Sequence, residues 1–228
     1  MKVLLIGETG TGKTFLSLHI SQFFETAYVD TEDGIDEWIE SGIFKFDKKF
    51  RVTKVLQWSD SFRVPVKELV VIDSVSELME HYKDYLQEYI RREKKFPMPN
   101  VTGIVDLEQK GYDTDKITLP VQLYQLVYDT ILNVVSEAVR YNKNLIVTMH
   151  PIETRTITMD GKIVHSKGRL EFLQGLHRKF DCVLVLKNPE EGIVKKIRGR
   201  IMKDNKVNAK QFLEKLFKIG GGGNSENK

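Results

Sequence analysis

Residues 7 to 14, Gly7-Glu8-Thr9-Gly10-Thr11-Gly12-Lys13-Thr14, have the spacing G-x-x-x-x-G-K-[ST]. That spacing suits phosphate chemistry. Glycines let backbone N–H groups wrap a β-phosphate at a helix N-terminus, Lys13 can bridge β- and γ-phosphates, and the Thr14 hydroxyl can ligate Mg²⁺. The stretch predicts nucleoside triphosphate binding, with Phe15 as the adjoining contact. A partner carboxylate stands at Asp73, where Leu69-Val70-Val71-Ile72 ends in an acid, the Walker B arrangement. An apolar strand delivers such an acid to the phosphate edge, where it holds the metal through Thr14 or water. Two further groups follow short apolar runs. Glu32 stands where a general base or water-orienting carboxylate would act, with an exposed loop acid as the plainer reading. His150 stands where a side chain could sense a γ-phosphate, with a capping or packing histidine as its alternative.

These residues need strands that end at one edge. Lys2-Val3-Leu4-Leu5-Ile6 reads as a buried parallel strand, and Phe15 to Phe24 places apolar residues at helical spacing, so strand, glycine loop and helix come in the required order. Ala27 to Asp30 and Leu145 to Met149 read as further strands, and parallel strands present their C-terminal ends to one crevice. Residues 75 to 95 and Thr118 to Tyr141 read as helices, joined by a long irregular stretch to Lys116 that starts at Phe96-Pro97-Met98-Pro99-Asn100. Asp160-Gly161 predicts a two-residue hairpin turn between Arg155–Met159 and Lys162–His165. A helix near Leu170 to Phe180, a strand Cys182 to Leu186, a turn at Asn188 to Gly192 and a strand holding Lys195 to Arg200 follow. The expected fold is α/β, a mostly parallel sheet flanked by helices with a C-terminal antiparallel extension. Residues 1–205 form the expected core, 206–219 a last helix and 220–228 a flexible tail.

With 228 residues, 41% hydrophobic and 29% charged, the chain suits one globular domain. No apolar run approaches the roughly 18 residues that span a bilayer, and Val3 to Ile6 is too short for a signal peptide, so no membrane partner and a cytoplasmic location are expected. The single cysteine, Cys182, excludes an internal disulfide and a Cys-based metal cluster. Net charge is +3, unevenly distributed: residues 151 to 203 carry twelve Lys/Arg against six Asp/Glu. Such an excess is the footprint expected of a polyanion partner, and also of an ordinary solvated surface.

In order, these elements resemble the core of the RecA/RadA recombinase family, over about residues 1 to 203. Tyr28-Val29-Asp30-Thr31-Glu32-Asp33-Gly34-Ile35-Asp36 is similar to the strand that ends in that family's catalytic Glu, and Val70-Val71-Ile72-Asp73-Ser74-Val75 to its Walker B. Asn144 to His150 is similar to its γ-phosphate sensor strand, with His in place of the Gln of RecA. The resemblance implies a RecA-like P-loop NTPase core and a Mg²⁺-dependent ATPase, with ATP and Mg²⁺ as cofactors, Thr14 and Asp73 at the metal, and Glu32 and His150 in catalysis. It implies nucleotide contacts from Gly7 to Phe15 and from Asp36, and a DNA-binding segment at Pro151 to Lys167. Arg198-Gly199-Arg200 is similar to paired basic residues that reach a neighbouring subunit's nucleotide, which implies a homo-oligomer. Two basic residues separated by one position on one extended strand would project to the same face. With the first strand starting at residue 2, no N-terminal polymerisation arm is expected. Ser74, where many helicase and AAA-type motors carry a catalytic Glu, and the absence of D-x-x-G and N-K-x-D disfavour motor and G-protein classes. The expected activity is ATP hydrolysis coupled to single-stranded DNA in recombination, DNA repair or phage replication. The rival is a KaiC-like regulatory or assembly ATPase that binds protein; a small-molecule kinase stands third.

Overall fold

The computed structural model describes residues 1–46, 48–59, 61–93, 121–151, 154–157, 163–166, 176–198 and 200–219. The connection between the two long helices, the tail from 220, and residues 152–153, 158–162 and 167 of the segment Pro151 to Lys167 lie outside the described residues.

The glycine loop lies between β1 (Lys2–Ile6) and α1 (Lys13–Ser21). There follow β2 (Thr26–Asp30), α2 (Ile35–Glu40), β3 (Phe50–Lys54), β4 (Leu69–Asp73), α3 (Val75–Glu93), α4 (Val121–Tyr141) and β5 (Asn144–Met149). After a hairpin of β6 (Thr154–Ile157) and β7 (Ile163–Ser166) come a 3₁₀ turn (Leu176–Lys179), β8 (Cys182–Leu186), β9 (Glu191–Ile197), β10 (Arg200–Asn208) and α5 (Ala209–Phe217). One sheet has the order β10-β9-β8-β1-β5-β4-β2-β3. The strands from β8 to β3 are parallel and β9 and β10 add antiparallel, as the sequence predicts.

Strand alternation assigns the two cores. Leu4, Ile6, Val70, Ile72, Leu145 and Val147 share one cluster with α3 and α4. Those helices supply Leu78, Tyr82, Leu86 and Ile90, and Leu123, Val127, Ile131 and Val135, at four-residue spacing. Val3, Leu5, Leu69, Val71 and Ile146 join the cluster of α1 and α5. Each fully buried Val, Leu or Ile contributes about 1.5–3 kcal/mol. The chain moves one way along the sheet through α1 and α2 and back through α3 and α4 on the other face, as a single crossover hand requires. That winding brings the ends of β1, β2, β4 and β5 to one edge. Among the described residues, no helix is long and apolar enough to cross a membrane.

Several sequence expectations need correction. Arg198 and Arg200 do not share a strand: β9 ends at Ile197, Arg198 takes φ 43°, and Arg200 opens β10. β6 and β7 pair antiparallel, Thr154 opposite Ser166 through Ile157 opposite Ile163, and the turn expected at Asp160-Gly161 lies outside the described residues. Residues 206 to 208 continue β10 against β9 instead of starting the last helix, because Asn208 is its N-cap, extended, with Oδ1 accepting from Gln211 N at 3.0 Å. Of the helix expected near Leu170 to Phe180, residues 170–175 lie outside the described residues, and Leu176–Lys179 form a short 3₁₀ turn. The elements α2 and β3 were not legible: α2 buries only Ile35, and β3 is an edge strand of mixed polarity.

Candidate functional site

The glycine loop is held from three sides. Gly7 N donates to Met149 O at 3.2 Å, tying the loop to the end of β5. A Cβ on Gly7 would meet Thr11 Oγ1 at 2.2 Å, and one on Gly12 would meet Pro189 Cγ at 2.5 Å, so the β8–β9 turn packs directly on the loop. Gly10 and Gly12 have φ of +80° and +88°, a region costly to residues with a Cβ. Gly12 caps α1 without a side-chain hydrogen bond, which leaves the first-turn N–H groups of this helix to an anion. Thr11 Oγ1 donates to Glu8 O at 2.8 Å within the loop.

Lys13 is buried, and its ammonium donates to Gly7 O at 2.8 Å and Glu8 O at 3.0 Å. Burial lowers its pKa, opposed by the charges of Glu32, Asp73 and Glu8. Thr14 Oγ1 donates to Asp73 Oδ2 at 2.8 Å, so the hydroxyl and carboxylate expected at a metal are in contact. The Phe15 ring packs against Trp38 and Phe44, so only its backbone faces the loop chemistry.

Asp73 is 3% exposed and fully engaged. Tyr28 OH donates to its Oδ2 at 2.5 Å, Thr148 Oγ1 donates to its Oδ1, and Ser17 Oγ lies 2.9 Å from Tyr28 OH. Burial raises the Asp73 pKa, and the bonds from Thr148, Tyr28 and Thr14 oppose the rise. Tyr28, Thr148 and Ser17 were missed by motif reading. Their signal was alternation: Tyr28 and Thr148 are the polar breaks in apolar strands and point toward α1, as Asp73 does.

Glu32 and His150 meet across the sheet edge, with Nε2 2.9 Å from Oε1 and side-chain exposures of 31% and 24%. The bond from His150 lowers the Glu32 pKa most; burial opposes it, while Ser74 and the charges of His150 and Lys13 add to the lowering. The pair is anchored from behind. Thr31 Oγ1 donates to Ser74 O at 2.8 Å and accepts from Ser74 N at 2.7 Å, locking the ends of β2 and β4 together. His150 N donates to Ser76 Oγ at 2.9 Å, and His81 Nε2 lies 3.0 Å from Thr31 O. In front lies a cavity of about 500 Å³ lined by Thr9, Thr31, Glu32, Asp33, Leu56, Glu77, His81 and His150.

Other expected site residues lie apart. Asp36 and Asp33 both bind Lys54 Nζ at 2.5 Å, an exposed triad whose carboxylates push the lysine pKa up. Asp36 thus answers to Lys54 and takes no part in the Glu32–His150 contact. Arg198 and Arg200 lie at the opposite edge of the sheet, where Arg198 N donates to Asp181 O at 2.5 Å. Among the described residues, neither takes part in the glycine-loop site. Burial raises the Cys182 thiol to a pKa of about 12, an inert state. No protein-family model and no curated protein matches the chain.

Proposed function

We propose that this chain is a RecA-like P-loop ATPase that acts on single-stranded DNA in recombination, repair or phage replication. The observation that supports it most is the convergence of a glycine-rich loop, Lys13, Thr14 and Asp73 with a Glu32–His150 pair at one sheet edge. In this reading the loop N–H groups and Lys13 bind the phosphates of ATP, Lys13 exchanging the Gly7 and Glu8 carbonyls for phosphate oxygens. One hydroxyl beside one carboxylate suits a hard cation with oxygen ligands, and among the described residues no three His, Cys, Asp or Glu groups would hold a metal by themselves. Thr14 and Asp73 would therefore hold Mg²⁺ together with the phosphates, and the ion would neutralise charge on the transferred phosphoryl.

Glu32, held ionised by His150, orients a water for in-line attack on the γ-phosphorus and accepts its proton as the new O–P bond forms and the bridging O–P bond breaks. His150, bonded to Glu32 and anchored to Ser76, reports the state of that pair to the start of α3. A second reading, a KaiC-like ATPase that binds protein, draws support from the cavity rim. Glu32, Asp33 and Glu77 make that mouth acidic, which disfavours a phosphodiester there. Steady-state ATP hydrolysis with and without single-stranded DNA decides between them. Stimulation is expected from the first reading; DNA-insensitive turnover selects the second, and no turnover at all sinks both.

A further inference from the structure

The sheet edge opposite the glycine loop carries a row of cations that the ATPase reading does not use. In strand order it starts with Arg200 on β10 and Arg198 after β9, then Arg178 and Lys179 before β8. It passes β1 and ends with Lys143 before β5 and Arg140 on the last turn of α4. All six side chains are exposed. Backbone bonds stitch these segments side by side: Arg198 N to Asp181 O at 2.5 Å and Asp181 N to Lys2 O at 2.9 Å. From β10 to β5 there are four inter-strand steps of ~4.8 Å, so the row runs for about 19 Å.

Nothing described neutralises it. Among the described residues none of the six has an ion pair, and the acid in their midst, Asp181, accepts from Lys2 N at 2.8 Å. Lys196 holds the row in place, donating to the carbonyls of His177, Arg178 and Phe180 at 3.1, 3.2 and 2.6 Å, so Arg178 and Lys179 face outward on a pinned turn. The neighbouring His177 senses the field: burial lowers its pKa, and Arg178 and Lys196 lower it further. At the β5 end stands Tyr141, 59% exposed, with the Arg140 guanidinium 5.7 Å from its ring centre.

We propose that this N-terminal sheet edge binds single-stranded nucleic acid, with Arg140, Lys143, Arg178, Lys179, Arg198 and Arg200 on the phosphates and Tyr141 stacking a base. A row of like charges repels itself, and a polyanion relieves that repulsion while releasing counterions. An exposed aromatic beside the cations adds the sequence-tolerant stacking typical of single-strand sites. This surface lies at the opposite end of β5 from Met149, after which Pro151 to Lys167 follow in the chain.

The test is fluorescence anisotropy with a labelled oligo-dT of twenty nucleotides, in EDTA and without nucleotide, so the outcome is independent of the ATP reading. Six single-strand contacts give a slope of log K against log salt of about −4. Lys143→Ala/Arg178→Ala/Lys179→Ala should bind about 10²-fold more weakly at 0.1 M salt and flatten the slope by about 2. Arg198→Ala/Arg200→Ala should weaken binding about tenfold or more, and the Lys replacements of the arginines should keep most of it. Tyr141→Ala should lose at least about fivefold. Absence of wild-type binding at low salt overturns the proposal, as does equal binding by the triple variant. Equal binding of Tyr141→Ala, or of a duplex of equal length, overturns the single-strand assignment. If the alanine variants change only the sedimentation of the protein and not its anisotropy curves, the row is a contact to a second copy.

Discussion

At the C-terminal edge of the parallel strands the charged groups answer one another. Asp73 accepts from Thr14, Tyr28 and Thr148, Glu32 meets His150, and Lys13 is closed over by the carbonyls of Gly7 and Glu8. At the N-terminal edge of the same sheet, Lys143, Arg178, Lys179, Arg198 and Arg200 point away from the protein with Asp181 as the acid between them. Burial accounts for the difference. A carboxylate 3% exposed persists only with donors at its oxygens, so the first edge is a closed network. Exposed guanidinium and ammonium groups are solvated and need no partner in the fold. A closed network is fixed in geometry and suits chemistry; an open row of one sign suits an extended, sequence-indifferent polyanion.

The comparison breaks most visibly at Lys13. Lys13→Ala should reduce binding of a labelled ATP analogue by more than ~10²-fold, since it removes the buried cation over the loop. Analogue binding equal to wild type would mean that the closed edge is a structural network. Next in size is Glu32→Gln, which keeps the shape of the His150 contact and removes the proposed base. ATP should still bind, and turnover should fall by at least ~10²-fold, the lower end of a general base's contribution. Unchanged single-turnover rates would move the base elsewhere.

Lys196→Met tests the other edge. Its ammonium donates to three carbonyls between His177 and Phe180. Losing those charge-assisted bonds should cost about 1–2 kcal/mol, or ~2–8 °C in Tm, and should weaken oligonucleotide binding because Arg178 and Lys179 lose their fixed base. A melting curve superimposed on wild type would show that the row needs no such anchor.

The two edges were unequally legible in the sequence. The glycine loop, Asp73, Glu32 and His150 each followed a short apolar run, and parallel strands bring such ends together whatever lies between them, so most of the closed edge could be read from local pattern. Its supporting shell could not be named that way, because the bonds of Tyr28, Ser17 and Thr148 depend on which strands are neighbours. The open edge was visible only in part, as a charge excess between 151 and 203 that leaves out Arg140 and Lys143. Its members come from the ends of β9 and α4 and the starts of β5, β8 and β10, distant in sequence, and the antiparallel return of β9 carries Arg198 away from the loop. Reading Lys195 to Arg200 as one strand failed for a local reason: Arg198 adopts a left-handed conformation that β propensity does not reveal.

The smallest expected effect is the most diagnostic of how the closed edge works. His150 supplies the largest lowering of the Glu32 pKa, and burial pushes the other way. In His150→Ala that bond is gone and burial becomes the leading influence, so the Glu32 pKa should rise. With Glu32 as the proposed base, turnover would require the ionised carboxylate, so in wild type the acid limb of the kcat profile should lie below the ordinary glutamate range, and in the variant it should move to higher pH. Stability follows the same sign. A depressed folded pKa contributes stability above the unfolded pKa of about 4.3 that is lost as pH falls through the folded value, so the variant should melt lower at pH 7 and converge with wild type in acid. With both side chains a quarter to a third exposed, the pair is worth no more than about 0.2–1 kcal/mol, which is why its effect on the melt is small while its effect on the pH limb is resolvable. Coincident acid limbs in the two proteins would show that His150 merely packs against Glu32, and the ionisation of the base would then have to be credited to Ser74 and Lys13.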